Sequence, residues 1–108
     1  MHHPRQCHTG WDSLIDELER HLRYLSPNYE IAQIKEKWGG LRYYASYVPA
    51  EGERDEEVAK QIFHRLIDET ERRSFWHCER CGEAGQTRCD LTWRKTLCDK
   101  HYEEQRRG

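Results

Sequence analysis

Ile31-Ala32-Gln33-Ile34-Lys35-Glu36-Lys37-Trp38 leads into Gly39-Gly40, and Leu41-Arg42-Tyr43-Tyr44-Ala45-Ser46-Tyr47-Val48 leads out. Two runs carrying β-branched and aromatic residues around a glycine pair read as a β-hairpin, because the favoured two-residue turns need positive φ. Pairing outward from Gly39-Gly40 sets Trp38 opposite Leu41, Glu36 opposite Tyr43 and Ile34 opposite Ala45. That face is mostly apolar and is expected to meet a core. The other face carries Lys35, Lys37, Arg42 and Tyr44, a basic surface with an aromatic among the charges.

Helical patterns lie on either side. Trp11, Leu14, Ile15, Leu18, Leu22 and Leu25 recur at helical spacing from Thr9 to about Leu25, and Pro27 ends the ladder. Thr9 and Asp12 fit a helix start, where a side-chain oxygen accepts from a free N–H of the first turn. After a polar loop over 49–54, Val58, Ala59, Ile62, Phe63, Leu66, Ile67 and Thr70 predict a second amphipathic helix from about Asp55 to Arg73. Its other side is a solvated charged face, where His64 also falls. Phe75 and Trp76 follow and are expected to lock the last segment onto the core.

That last segment is poor in apolar residues. Leu, Ile, Val and Phe number 17 of 108, and after Phe75 only Leu91 and Leu97 remain. Such a low share accompanies disorder when net charge is high, but 18 basic and 20 acidic residues leave a net charge of −2. A small folded domain with a staple is the better reading. The staple is in the cysteines. Cys78-Glu79-Arg80-Cys81-Gly82 is a C-x2-C-G turn, and sixteen residues after Cys81 comes Cys98-Asp99-Lys100-His101. The whole, C-x2-C-x16-C-x2-H, has the spacing of a structural zinc site. Three thiolates and an imidazole suit one Zn²⁺ and fill all four corners, so the site is expected to be structural. Gly82 supplies the open conformation that such a turn needs.

The odd cysteine count argues against a disulfide framework. Cys89 is a free thiol near the site or a replacement for Cys98 or His101. Cys7, among His2, His3 and His8, belongs to a frayed start or to a second metal site. His77 is expected beside the ligands rather than among them. A short hairpin within Thr87–Leu97, with Leu91 and Trp93 on one side, would lead into a helix to about Arg106 carrying Cys98 and His101 in its first turn. A knuckle, a hairpin and a helix in this order make a treble-clef arrangement.

The segment Gln33–Tyr44 resembles the "xVKEKFGxLRFY" stretch of small bacteriophage and bacterial proteins that continue with "CExCG" and then "W-x-x-TLCDxH". Here those motifs read Cys78-Glu79-Arg80-Cys81-Gly82 and Trp93-Arg94-Lys95-Thr96-Leu97-Cys98-Asp99-Lys100-His101, with Ser74 near the helix end before them. The resemblance spans roughly Trp11 to His101. It implies a phage or prophage origin and a zinc-bound C-terminal module, and it implies no activity. Cys89 and the Cys/His-rich start depart from the pattern.

The expected architecture is one α+β domain over 1–108: two amphipathic helices packed on a β-hairpin across 9–76, and a treble-clef-like zinc module across 77–108. The expected function is that of a small intracellular, cytoplasmic zinc protein that binds a host protein and is not an enzyme. The alternative is a nucleic-acid-binding zinc protein using Lys35, Lys37, Arg42 and Tyr44, with Arg94, Lys95 and Arg88 near the metal. The net charge weighs against strong polyanion binding. A His-Asn-His nuclease is less favoured, because residues 82–97 lack the histidine that would activate water. No apolar run is long enough to span a bilayer, the first residues are not those of a signal peptide, and no small-molecule substrate is evident.

Overall fold

A computed structural model describes residues 3–108. Eight regular elements follow one another: β1 (Arg5–Gln6), α1 (Asp12–Leu25), β2 (Glu30–Lys37), β3 (Gly40–Ser46), α2 (Glu56–Ser74), β4 (Gln86–Arg88), β5 (Lys95–Leu97) and α3 (Asp99–Arg107). The class is mixed α+β, with the sheet ordered β1-β2-β3 and a separate ribbon of β4 and β5.

The periodic stripes meet as expected. Trp11, Leu14, Ile15, Leu18 and Leu22 pack with Ile34, Leu41 and Tyr43 of the sheet and with Phe63 and Ile67 of α2. Tyr29 and Tyr47 set their rings edge-on to Phe63 at centroid distances of 5.6 and 5.7 Å. Full burial of a ring such as Phe63 contributes about 1.5–3 kcal/mol. On α2 only the inner half of the broad stripe is covered: Ala59, Phe63, Ile67, Thr70 and Ser74 are buried, while Val58 and Ile62 are exposed. Asp55 caps this helix by accepting from the Val58 N–H.

The hairpin turns one residue earlier than its glycine pair implies. Lys37 pairs with Gly40, Glu36 with Leu41, Lys35 with Arg42 and Ile34 with Tyr43. The two turn residues are therefore Trp38 and Gly39, at φ 54° and 88°. Gly40 is a strand residue for a steric reason, since a β-carbon there would overlap the Phe75 ring. Phe75 thus packs as expected. Each strand shifted by one residue in the same sense, so Ile34, Glu36, Leu41 and Tyr43 still share a face. Trp38 leaves that face and is 66% exposed.

Among the described residues, the segment from Arg5 is tied to the fold and not frayed. Arg5–Gln6 adds a short strand parallel to β2. The Arg5 guanidinium reaches Asp12 at 3.0 Å, Asp16 at 2.7 Å and Glu19 at 3.1 Å. Thr9–Trp11 forms a 3-10 turn before α1, and no side chain caps either start, so the expected Thr9 cap is not made. The buried Trp11 ring anchors the entry instead. At the other end of α1, the Ser26 hydroxyl donates to the Val48 carbonyl at 2.6 Å and accepts the Val48 N–H at 3.0 Å.

Candidate metal centre

The C-x2-C segment makes a tight turn in which the Gly82 N–H donates to the Cys78 carbonyl at 2.8 Å. Gly82 sits at φ 82°, as the turn requires. The Cys78 N–H donates to the Glu83 carbonyl at 2.7 Å. After the turn, β4 and β5 pair antiparallel, with Thr87 opposite Thr96. The last two ligands stand at the start of α3: Cys98 is its N-cap and His101 lies in its first turn.

These elements bring the four ligand atoms of Cys78, Cys81, Cys98 and His101 within 4.8 Å of one another. Cys81 Sγ and Cys98 Sγ are 3.8 Å apart. His101 Nδ1 is 3.5 Å from Cys78 Sγ and 3.2 Å from Cys98 Sγ. An ion about 2.3 Å from sulfur and about 2.0 Å from nitrogen in a tetrahedron separates S from S by about 3.8 Å and S from N by about 3.5 Å. The quartet therefore has the dimensions of a four-coordinate metal site. Burial would push the Cys78 thiol up, but backbone N–H groups of Cys98, Cys81 and Arg80 and the His101 ring outweigh it and bring the thiol down to about 6. A thiolate-ready ligand suits a cation.

The surroundings tie this centre to the core. The Trp11 indole donates to the His77 carbonyl at 3.0 Å. His77 lies outside the quartet as expected, its Nδ1 3.1 Å from the Gly82 carbonyl. The Gly10 N–H donates to the Glu79 carbonyl at 2.6 Å, and a β-carbon on Gly10 would overlap the Cys78–Glu79 backbone. Glu79 is buried within the knuckle, accepts the His8 N–H and faces Lys95 at 3.6 Å. Lys95 also reaches Glu36 at 3.3 Å, which joins the module to the hairpin. The Thr96 hydroxyl donates to the Gly39 carbonyl at 2.6 Å.

Other expected residues stand elsewhere. Cys89 is exposed outside the quartet, so it replaces neither Cys98 nor His101 in the set. Cys7 is half-buried against the core, and among the described residues it forms no metal cluster with His3 or His8; His2 lies outside them. Leu91 and Trp93 fall in the β4–β5 loop rather than on its strands, and Trp93 is 77% exposed. Trp76 is also exposed and does not lock the module.

Of the basic residues, Lys95 is committed to Glu36 and Glu79, and Arg42 lies 3.8 Å from Glu71. Arg88 pairs with Asp99 and covers the Tyr102 ring, bracing α3. Lys35 approaches the exposed Tyr44 ring at 6.0 Å and Lys37 lies 4.8 Å from the Trp38 ring. No sequence pattern marks the Glu36–Lys95–Glu79 chain, whose members are far apart in the sequence.

No family model, curated protein or solved structure matches the chain. Among the described residues, no helix is long and apolar enough to cross a membrane.

Proposed function

We propose that the chain is a small zinc-stapled binding module, of bacteriophage descent and at work in the cytoplasm of a bacterial host, that acts by docking and not by catalysis. The observation that carries this reading is the Cys78–Cys81–Cys98–His101 quartet, whose four ligand atoms all come from protein. Three thiolates and an imidazole suit zinc, and a full tetrahedron leaves no corner for substrate. The order of knuckle, ribbon and helix, with the four residues on the knuckle and the helix start, supports reading the module as a treble clef. Metal analysis should return about one zinc per chain, and Cys81→Ser should lose it and unfold residues 77–108, because metal-binding free energy is folding free energy in such modules. A folded, zinc-free protein would refute the reading.

The sequence leaves two partner classes open. Its net charge of −2 counts against nucleic acid, but part of the acid is paired within the fold. Asp12, Asp16 and Glu19 surround Arg5, and Glu36 and Glu79 hold Lys95. Lys35, Lys37 and Arg94 make no ion pair among the described residues, which supports nucleic acid as the partner. Docking to a host protein is the second reading, favoured by the exposed rings of Tyr24 and Trp76. Gel shifts at two salt concentrations and capture from a host lysate separate the two.

A further inference from the structure

Two exposed tryptophans from different hairpins line one cleft. Trp38 stands at the β2–β3 turn and Trp93 in the β4–β5 loop, and the space between them, about 420 Å³, is bounded also by Glu36, Lys37, Arg94 and Lys95. Trp38 is 66% and Trp93 77% exposed.

Trp38 is held out at a conformational cost. It is the one described non-glycine residue with positive φ, at 54°. That region is strained for a bulky side chain, and glycine or asparagine is the usual occupant of such a turn position. The neighbouring Gly39 is pinned on both sides: its N–H donates to Glu36 Oε2 at 2.7 Å and its carbonyl accepts from Thr96 at 2.6 Å. The fold thus imposes a backbone that would suit a smaller residue, yet an indole occupies it and does not enter the core. Strain of this kind, over-determined by its surroundings, is a mark of functional positioning.

The charges around the cleft have one sign outward. Glu36 faces Lys95 and the Gly39 N–H, and Lys95 is shared with the buried Glu79. Lys37 lies 4.8 Å from the Trp38 ring centroid, and Arg94 has no acidic partner among the described residues. Two solvent-facing indoles flanked by two available cations match a polymer that offers flat π-faces at intervals along an anionic backbone.

Resting on the binding-module reading above, we propose that this cleft binds single-stranded nucleic acid, with Trp38 and Trp93 as stacking surfaces for bases and Lys37 and Arg94 as phosphate contacts. Unpaired bases can splay onto aromatic rings, whereas a duplex keeps them stacked inside. A cleft of this size, between two loop tips, accepts one or two nucleotides and not a double helix.

The test uses the zinc-loaded full chain and fluorescence anisotropy of a labelled oligothymidylate, its duplex with oligoadenylate, and labelled polyglutamate. The single strand should bind best, and its affinity should fall with salt. Trp38→Gly, which keeps the turn, and Trp93→Ala should each weaken it about tenfold, the loss of one stacked base. Arg94→Ala should reduce the salt slope by about 0.7. Trp76→Ala, an exposed ring outside the cleft, should bind like the parent. Zinc content checks that each variant is folded. Undiminished binding by both cleft variants would overturn the cleft while leaving a nucleic-acid partner elsewhere. Preference for the duplex would overturn the stacking mode. Preference for polyglutamate would overturn the nucleic-acid assignment but not the binding module. Binding of no probe by zinc-loaded protein would overturn the proposal, and lysate capture would then judge the module separately.

Discussion

The indole of Trp11 donates its N–H to the backbone carbonyl of His77, the residue just before the first metal ligand, at 3.0 Å. One fully buried ring thus belongs to the helical core and to the frame of the metal centre. Trp11→Phe should keep most of the packing and lose the bond, at a cost of about 1–2 kcal/mol, since a partly buried carbonyl loses its partner. Trp11→Ala should cost about 3–5 kcal/mol. Urea denaturation of the zinc-loaded protein measures both. Loss of zinc to a chelator should be faster for Trp11→Phe than for the parent; equal rates would show that the core and the centre are not coupled through this bond.

Gly40 faces the Phe75 ring with no room for a β-carbon. Gly40→Ala must push the ring away from the hairpin and should destabilise by about 1–3 kcal/mol, the range for overpacking. Gly52→Ala provides a contrast. No atom lies near a β-carbon there, although φ is 80°, so only backbone strain of about 1 kcal/mol is expected. Thermal melts should order the two variants in this way.

Trp38→Gly should raise stability by up to about 1 kcal/mol, because the left-handed turn position no longer carries a side chain. Few tryptophans can be removed at a gain. A lower midpoint in urea would mean that the exposed ring supports the fold.

Arg5 gathers Asp12, Asp16 and Glu19, and its own side chain is only 12% exposed. Glu19 is also nearly covered and accepts from the Tyr43 hydroxyl at 2.9 Å. Removing the cation leaves these acids facing one another. Arg5→Met should cost about 2–3 kcal/mol and leave α1 more labile to amide exchange, since breaking a largely buried pair strands its partner. An effect below about 0.5 kcal/mol would place Arg5 with ordinary surface pairs.

Burial pushes the Cys7 thiol up to about 11, with the negative charges of Glu79 and Asp12 adding to it. A raised folded-state value means that the unfolded chain loses its proton first. The contribution to stability is therefore complete below about 9 and is lost as pH rises from there to about 11. Stability profiles of the parent and Cys7→Ala should converge over that interval. At pH 8, iodoacetamide should label the exposed Cys89 and spare Cys7. Rapid labelling of Cys7 would contradict its burial.

Much of the core and the make-up of the Cys78–Cys81–Cys98–His101 quartet could be read from spacing alone. A helical stripe such as Leu14–Ile15–Leu18–Leu22 has no other good use in a small domain, and a C-x2-C with a distant C-x2-H has few chance origins. The hairpin shows how such a reading survives an error. Taking Gly39-Gly40 as the turn displaced both strands equally and preserved which side chains share a face. What stayed hidden depends on long-range encounters. A two-residue strand at Arg5–Gln6 has no periodicity to detect. The Ser26–Val48 staple and the Glu36–Lys95–Glu79 chain need the fold before they exist. Exposed Trp38 and Trp76 depart from their expected packing for a related reason: a chain poor in aliphatic residues invites its indoles into the core, and only tertiary packing says which are left out.

The contact between Gly10 and the Glu79 backbone also sets a schedule. Gly10 is synthesised well before its partner: the carbonyl that receives the Gly10 N–H is made nearly seventy residues later, beside the first cysteine of the quartet. The first two helices and the hairpin can assemble on the ribosome in chain order, but this clasp must wait until the knuckle has emerged, and a knuckle that holds an ion, as proposed, waits for His101 as well. Were the quartet loaded with zinc as proposed, maturation would be gated by metal supply: under zinc starvation residues 5–11 would stay undocked, exposed to quality-control proteases.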